Sequence, residues 1–152
     1  SSSPPLSHFI KVENATSCLL ALQYSKNSRA RRQELVSNQV LYNLKRRQIE
    51  RDLIPYCVEN NITIIAYTPL ADESLSRRSR FQPDNEGSIL EQVAQEVDKT
   101  PAQVALNWCL SRPNMIVISK SNSVERTIQN CGASGWALST NQLATMDDTH
   151  RE

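Results

Sequence analysis

The sequence predicts an α/β fold in which parallel strands alternate with helices. Short runs rich in β-branched residues, such as residues 62–67 and 115–118, have the length and composition of buried strands. The longer segments between such runs repeat apolar residues at helical spacing, and several open with helix-capping signals. Because strands joined through helices pair in parallel with right-handed crossovers, we expect one parallel sheet of four strands covered by helices.

The first two predicted strands occupy residues 4–9 and residues 35–42, with a helix over residues 12–24 between them. Alternation along the second strand places Gln39 on one face and Asn38 on the other. A polar side chain on the core face needs a hydrogen-bond partner, since burying it without one is unfavourable. This strand therefore gives a first indication of a functional site.

One amphipathic helix is predicted over residues 47–60, packed on the sheet. Its apolar residues at helical spacing are Ile49, Leu53, Ile54, Cys57 and Val58. The third strand covers residues 62–67, and Pro69 ends it because proline has no backbone N–H to donate. A long loop follows over residues 71–87, of a length that is usually either functional or disordered.

Helix starts in the C-terminal half are marked by S/T-x-x-E/Q signatures. One begins at Ser88, and the other begins at Thr100 with proline at the first helical position. The second of these helices is apolar around most of its circumference, so we expect it to be largely buried and to end before Pro113. A last helix is predicted over residues 139–146, capped by Ser139 and Gln142.

One junction combines the fourth strand, predicted as buried over residues 115–118, with a polar turn and a helix that begins at Asn122 or Ser123. A helix N-terminus offers backbone N–H groups and the positive end of the helix dipole to an anion. Lys120 and Arg126 add two full positive charges, which favours phosphate. The alternative is an ordinary turn with two solvated cations, since the glycines of phosphate-binding loops are absent.

Composition excludes several classes of function. The 152 residues are 39% hydrophobic and 22% charged with a net charge of +1, which is typical of one globular domain and gives no attraction to nucleic acid or membrane surfaces. The sequence has no apolar run of about 18 residues and no signal-peptide pattern, so we expect a cytoplasmic protein.

The cysteines are predicted to be reduced packing residues, because they are widely spaced in apolar helical settings and form no CxxC pair. They are Cys18, Cys57, Cys109 and Cys131. The only histidines, His8 and His150, lie at opposite ends of the chain, so no metal site is predicted.

Polar residues gather at the predicted carboxyl ends of the strands, where parallel sheets bind ligands. They are Ser7, His8, Gln39, Tyr67, Thr68, Ser119, Lys120 and Ser121. Agreement among four separate strand ends favours one binding rim over an accidental turn.

A family resemblance rests on three stretches, SNQVLYNLKRRQIERDLIPYCVENNITIIAYTPLA, KTPAQVALNWCLSRPNMIVISKSNSVERTIQNCGA and LSTNQLATMDD. They resemble the second half of an aldo-keto reductase, a member of the NADPH-dependent (β/α)8-barrel family. The LSHF of residues 6–9 is similar to the family's fifth-strand motif. The resemblance implies half of a (β/α)8 TIM barrel, with four parallel strands and outer helices, as a single domain over residues 1–152.

The resemblance implies an NADP(H) site. Ser7 and Gln39 correspond to residues that hydrogen-bond the nicotinamide carboxamide, and His8 stands where the family has asparagine. Tyr67 corresponds to the residue that stacks on the nicotinamide ring. The pyrophosphate and adenosine positions are Thr68 and Leu70 for the pyrophosphate, Lys120, Ser121, Ser123 and Arg126 for the 2′-phosphate, and Gln129 and Asn130 for adenine. Two cations at a 2′-phosphate favour NADP(H) over NAD(H).

The resemblance also implies what the chain lacks. In this family a tyrosine protonates the carbonyl substrate with help from aspartate, lysine and histidine, all on the first four strands, and this chain has none of them. We expect the chain alone to be inactive. Because a half-barrel exposes strand edges, we expect it to self-associate, to pair with a missing N-terminal half, or to be a marginal, aggregation-prone fragment. Two functions stay open, the cofactor-binding half of an oxidoreductase and a non-enzymatic NADP(H)-binding or interaction module. A fragment without any ligand is a third alternative.

Overall fold

The computed structural model of the chain describes residues 36–71 and 85–149. The predicted first strand, the helix over residues 12–24 and most of the loop over residues 71–87 lie outside this part. The elements in chain order are β1 Ser37–Leu41, a 3-10 turn Gln48–Glu50, α1 Leu53–Glu59, β2 Thr63–Tyr67, α2 Asn85–Glu96, α3 Pro101–Leu110, β3 Met115–Ile118, α4 Val124–Cys131 and α5 Thr140–Thr149.

The three described strands form one parallel sheet in the order β1-β2-β3, which confirms the predicted α/β fold with parallel strands. Leu41, Tyr67 and Ile118 align in one row across the sheet, at the carboxyl end of each strand. Gln39 and Ile116 share the row two residues earlier. The remaining predicted strand, over residues 4–9, lies outside the described residues.

The two faces of the sheet differ in burial. The face that carries Val40, Ile64 and Ala66 is buried under the helices. On the other face Ile116 is 53% exposed and Ile118 is 47% exposed. The prediction of a fully buried β3 is therefore wrong for these two side chains, because α3 contacts β3 and the described helices cover only the first face. We call the second face the open face.

The single helix predicted over residues 47–60 is wrong in its first half. The chain forms only a 3-10 turn at Gln48–Glu50, and α1 begins at Leu53. Pro55 explains the late start, since its ring would clash with the carbonyl of Arg51 anywhere beyond the first turn of a helix. Three residues of the predicted apolar stripe on α1 are buried, and they span an arc of about 100°. Val58 lies about 40° beyond that arc and is 38% exposed.

The predicted start at Ser88 is also wrong, because α2 begins three residues earlier, at Asn85. The other two predicted caps are confirmed. Thr100 Oγ1 accepts from the Gln103 amide at 3.2 Å while Gln103 Oε1 accepts from the Thr100 amide at 3.0 Å. Ser139 makes the same reciprocal pair with the glutamine three residues later, and α5 continues to Thr149.

Helix α3 lies at the centre of the core, as its apolar composition predicts, although Leu110 at its end is 37% exposed. Trp108 is fully buried, and its ring stacks on Tyr42 at a centroid distance of 5.3 Å. Burial and the neighbouring Glu50 raise the pKa of the Tyr42 hydroxyl, and Arg112 opposes this shift. Tyr42 is therefore a neutral packing residue.

The cysteines divide into two kinds. Cys57 and Cys109 are buried thiols, as predicted, and burial raises the pKa of Cys109 to about 12. The prediction is wrong for Cys131, which is exposed because no residue of α4, a helix within the described range, is buried. Cys18 lies outside the described residues. No helix in the described part of the chain is both long and apolar enough to cross a membrane.

Candidate functional site

The carboxyl ends of β2 and β3 lie side by side, which gives the candidate site its framework. Tyr67 is the last residue of β2, and its partner in the register is Ile118, the last residue of β3. The polar turn Ser119, Lys120 and Ser121 continues from that point. Tyr67 and the start of this turn therefore share one edge of the sheet, as the sequence predicts.

Gln39 lies on the same face as Tyr67 but not at the edge. It pairs with Ile65, whereas the last residue of β1, Leu41, pairs with Tyr67. The offset of one strand and two residues places the Gln39 and Tyr67 Cα atoms about 8 Å apart. Both side chains are half-buried on the open face, so an amide and a phenol ring are available to one ligand. Ser7 and His8 lie outside the described residues.

The turn after β2 has an unusual backbone. Thr68 has a φ of 52° and Ala71 has a φ of 48°, both in the left-handed region that favours glycine. The carbonyl oxygen of Thr68 accepts from the Ala71 amide at 3.2 Å and from Asn43 Nδ2 at 2.9 Å. Leu70 packs partly buried against the core. Sequence reasoning missed Asn43, for which the only local signal is a turn-forming residue just beyond a strand.

The start of α4 decides between the two predicted caps, Asn122 and Ser123, in favour of Ser123. Its Oγ accepts from the Arg126 amide at 3.2 Å, and its backbone is extended, as N-cap residues require. Ser121 Oγ donates to the Ser123 carbonyl at 2.9 Å and accepts from the Ser123 amide at 3.3 Å. Both serine side chains therefore hold the turn in shape before any ligand arrives.

Positive charge at this helix start is accessible to solvent. Lys120 and Arg126 are exposed, and Glu125 is the acidic residue in the first turn. Helix N-termini attract anions through unused backbone N–H groups and the helix dipole. A doubly charged anion would gain from the backbone and both cations, and Glu125 would weaken that gain.

A pocket of about 220 Å³ opens between α3, the end of β3 and α4. Its lining includes Ser119, Ser121 and Asn130 on the polar side and Leu106, Leu110 and Val117 on the apolar side. Helix α4 is tied to α3 by Gln103 Nε2, which donates to the Gln129 carbonyl at 2.9 Å. Two of the six residues predicted for the phosphate and adenine, Ser121 and Asn130, line this pocket. The other four are exposed and lie outside its lining: Lys120, Ser123, Arg126 and Gln129.

The segment after α4 is held by Asn107, a buried residue of α3 that sequence reasoning missed. Its Nδ2 donates to the carbonyls of Ala133 and Trp136, both at 2.9 Å, and its Oδ1 accepts from the Leu138 amide at 3.2 Å. An asparagine in an otherwise apolar helix is the signal that could have identified this role, because buried polar groups need partners.

A comparison with protein families matches residues 11–151 to the Aldo/keto reductase family. This chain belongs to the aldo/keto reductase family. Among relatives, methylglyoxal reductase YeaE of Escherichia coli is 30% identical over 117 residues, which cover 77% of this chain and 40% of that protein.

Two solved aldo/keto reductase structures resemble the chain. One is an aldo/keto reductase from Klebsiella pneumoniae in complex with NADP and acetate, with a TM-score of 0.66 and 35% identity over 76% of this chain and 39% of that one. The other is a thermostable aldo-keto reductase with the inhibitor epalrestat, with a TM-score of 0.75 and 30% identity over 93% of this chain and 48% of that one. The chain spans less than half the length of these three aldo/keto reductases.

Proposed function

We propose that this chain is the cofactor-binding half of an NADP(H)-dependent aldo/keto reductase, a carbonyl/alcohol oxidoreductase. One observation carries the proposal. The half-buried Tyr67 ends β2, and the cationic start of α4 follows the neighbouring strand β3, at the same edge of the sheet. A dinucleotide has a flat aromatic ring at one end and phosphates toward the other, so it suits this pair of features. The Klebsiella pneumoniae relative, crystallised with NADP, supports the same cofactor.

The nicotinamide end of the cofactor is assigned to Gln39 and Tyr67, together with Ser7 and His8. The Tyr67 ring supplies a face for stacking, which is a favourable arrangement for flat rings, and Gln39 supplies an amide for the carboxamide group. Thr68 and Leu70 are assigned to the pyrophosphate. The bound cofactor supplies a hydride to a carbonyl carbon, and these residues bind it and orient its ring.

The adenosine end is assigned to the turn after β3 and to α4. Lys120, Ser121, Ser123 and Arg126 would hold the 2′-phosphate, while Gln129 and Asn130 would contact adenine. Because the cations are exposed, binding a phosphate exchanges water for charge-assisted hydrogen bonds without burying an unpaired charge. An unphosphorylated ribose would leave both cations without this partner, which favours NADP(H) over NAD(H).

We assign no catalytic residue in this chain. The family resemblance puts the proton donor and its partners on the first four strands, so catalysis would be supplied from outside these 152 residues or would be absent. The half-exposed Ile116 and Ile118 support completion of the barrel on the open face, by the other half of a barrel or by a second copy. Analytical ultracentrifugation tests the second copy, because a stable monomer at all concentrations excludes it.

Charge reversal tests the assigned phosphate site. Lys120→Glu and Arg126→Glu should each weaken NADPH binding by about tenfold to a hundredfold, the worth of a charge-assisted hydrogen bond, and should leave NADH binding nearly unchanged. Fluorescence titration with NADPH, and separately with NADH, measures the two affinities for each variant. Arg51→Glu is the matched control, since this side chain is 88% exposed and lies on the turn before α1. Unchanged NADPH affinity in both variants would place the phosphate elsewhere.

A non-enzymatic NADP(H)-binding or interaction module is the second candidate. The exposed apolar residues Val124 and Ile128 on α4, 76% and 68% exposed, favour it because they offer a contact surface. Adding the N-terminal half of a related reductase separates the two functions. Carbonyl reduction that appears only in the mixture supports the oxidoreductase, and binding without activity supports the module.

A further inference from the structure

The turn after β2 holds a backbone conformation that its own sequence disfavours. Thr68 has a φ of 52°, although it is β-branched and precedes Pro69. Left-handed backbone is rare for β-branched residues, and a residue before proline prefers extended backbone. Ala71, three residues later, is also left-handed, with a φ of 48°. Such conformations persist only where neighbouring groups hold them.

Asn43 is the neighbouring group that holds this turn. Its side chain is 1% exposed, and its Nδ2 donates to the Thr68 carbonyl at 2.9 Å from 25 residues away. Its Oδ1 accepts from the Lys45 amide at 3.0 Å, and its backbone exchanges two hydrogen bonds with Arg46. The side chain is thus anchored on the turn after β1 while its donor reaches across to β2.

The bond lies immediately beyond the last row of the sheet. Leu41 pairs with Tyr67, the Tyr42 amide approaches the Tyr67 carbonyl at 3.5 Å, and Asn43 continues the link to Thr68. Because the Thr68 carbonyl is fixed by two donors, the peptide between Thr68 and Pro69 has one orientation. Tyr67 on one side and Leu70 on the other are therefore presented in a fixed arrangement.

We propose that Asn43 is a positioning residue for the nicotinamide and pyrophosphate end of the cofactor, acting through the Thr68 carbonyl. This inference rests on the proposed function, since it requires that Tyr67, Thr68 and Leu70 contact the cofactor. It assigns no contact between Asn43 and the cofactor itself. Its distinctive consequence is that loss of Asn43 affects one end of the dinucleotide and spares the other.

The test variant is Asn43→Ser. A serine hydroxyl can still accept from the amide two residues on, which keeps the local turn, but it is too short to reach Thr68. We expect NADPH affinity to fall about tenfold, while the affinity for adenosine 2′,5′-bisphosphate, which carries only the adenosine end, stays within about twofold. Asn60→Ser is the matched control. Asn60 also donates to a backbone carbonyl, that of Tyr56 at 2.8 Å, but it lies just before the amino end of β2, away from the carboxyl ends of the strands.

Rescue by Thr68→Gly gives a second test. Glycine adopts positive φ without steric cost, so the turn no longer needs the Asn43 bond. Because Thr68 is itself assigned to the pyrophosphate, the reference is the single variant Thr68→Gly, and the double variant Asn43→Ser/Thr68→Gly should bind NADPH within about threefold of that single variant. Equal losses for NADPH and the bisphosphate, or no rescue by glycine, would overturn the proposal.

Amide hydrogen exchange of Ala71 separates this proposal from the proposed function. In the ligand-free chain, exchange at Ala71 should be about tenfold faster in Asn43→Ser and should return toward the parent rate with Thr68→Gly. If the parent chain binds no NADPH, the proposed function fails and the cofactor role of Asn43 fails with it, whatever the exchange rate. If NADPH binds and Ala71 exchange is unchanged in Asn43→Ser, the proposed function stands and the positioning role is refuted.

Discussion

Asp147 on α5 joins the C-terminal helix to the centre of the core, and its removal should destabilise the whole fold. Its Oδ1 accepts from Trp108 Nε1 at 2.8 Å and from Arg112 Nη2 at 2.6 Å. Arg47 Nη2 lies 3.3 Å from the same oxygen. Both guanidinium groups also lie over the Trp108 ring, that of Arg47 at 5.2 Å and that of Arg112 at 4.5 Å from its centre. One carboxylate oxygen therefore accepts from a buried indole and lies against two cations, whose charges it balances together with Glu50.

The expected loss can be worked out from these contacts. Asp147→Ala leaves the Trp108 N–H without its acceptor in a fully buried position, which costs about 1–3 kcal/mol. The lost ion pairs add less than a fully buried pair would, because the Asp147 side chain is 23% exposed and Glu50 still lies 3.5 Å from Arg112. We expect a total of about 2–4 kcal/mol. Asp147→Asn keeps an oxygen for the indole, so it should cost about half as much.

Urea denaturation followed by tryptophan fluorescence measures this loss as a lower unfolding midpoint with an unchanged slope. Glu91→Ala serves as a control, since it removes an exposed carboxylate from α2 and should change the free energy of unfolding by less than about 0.5 kcal/mol. A change within about 0.5 kcal/mol for Asp147→Ala would refute the reasoning. Equal effects of Ala and Asn would show that the charge, and not the indole hydrogen bond, dominates.

Two further predictions concern pH and thiol chemistry. Burial alone would raise the pKa of Asp147, but hydrogen bonds from Arg112 and Trp108 outweigh it and hold the pKa below its usual value. The stability that Asp147 contributes should therefore be complete above about pH 4 and should be lost as the pH falls through the lowered pKa. The unfolding midpoints of the parent and of Asp147→Asn should converge in acid. A gap between the midpoints that stays constant with pH would contradict this. In the native protein, a maleimide should label Cys131, while Cys57 and Cys109 should react only after unfolding. Peptide mass spectrometry measures which thiols are labelled. Labelling of Cys109 in the native protein would argue against its burial.

Local signals explain most of what could be predicted. The capping pair of Thr100 with Gln103 and the N-cap at Ser123 depend on residues at most three positions apart, so the chain's order reveals them directly. The strands were predictable from short β-branched runs, and their parallel pairing was predictable from the helices that connect them. The helix boundary at Leu53 also has a local signal, because Pro55 is tolerated only in the first turn of a helix.

The candidate site was predictable only in part. The positions of Tyr67 at the end of β2 and of Lys120 and Arg126 at the start of α4 follow from their order along the chain. Gln39 lies one row below the sheet edge, which follows from the register between strands and not from β1 alone. Asn43 and its bond to Thr68 join residues 25 apart, and no short sequence pattern reports such a contact.

Neighbours along the chain were enough to predict three parallel strands with helices between them, the caps at Thr100, Ser123 and Ser139, and the polar residues at the ends of β2 and β3. Only the tertiary structure decided that Asp147 serves Trp108 from 39 residues away and that Asn43 holds Thr68. It also decided that Ile116 and Ile118 stand half-exposed. Burial and long-range hydrogen bonds depend on which surfaces meet, and that is fixed when the helices pack on the sheet.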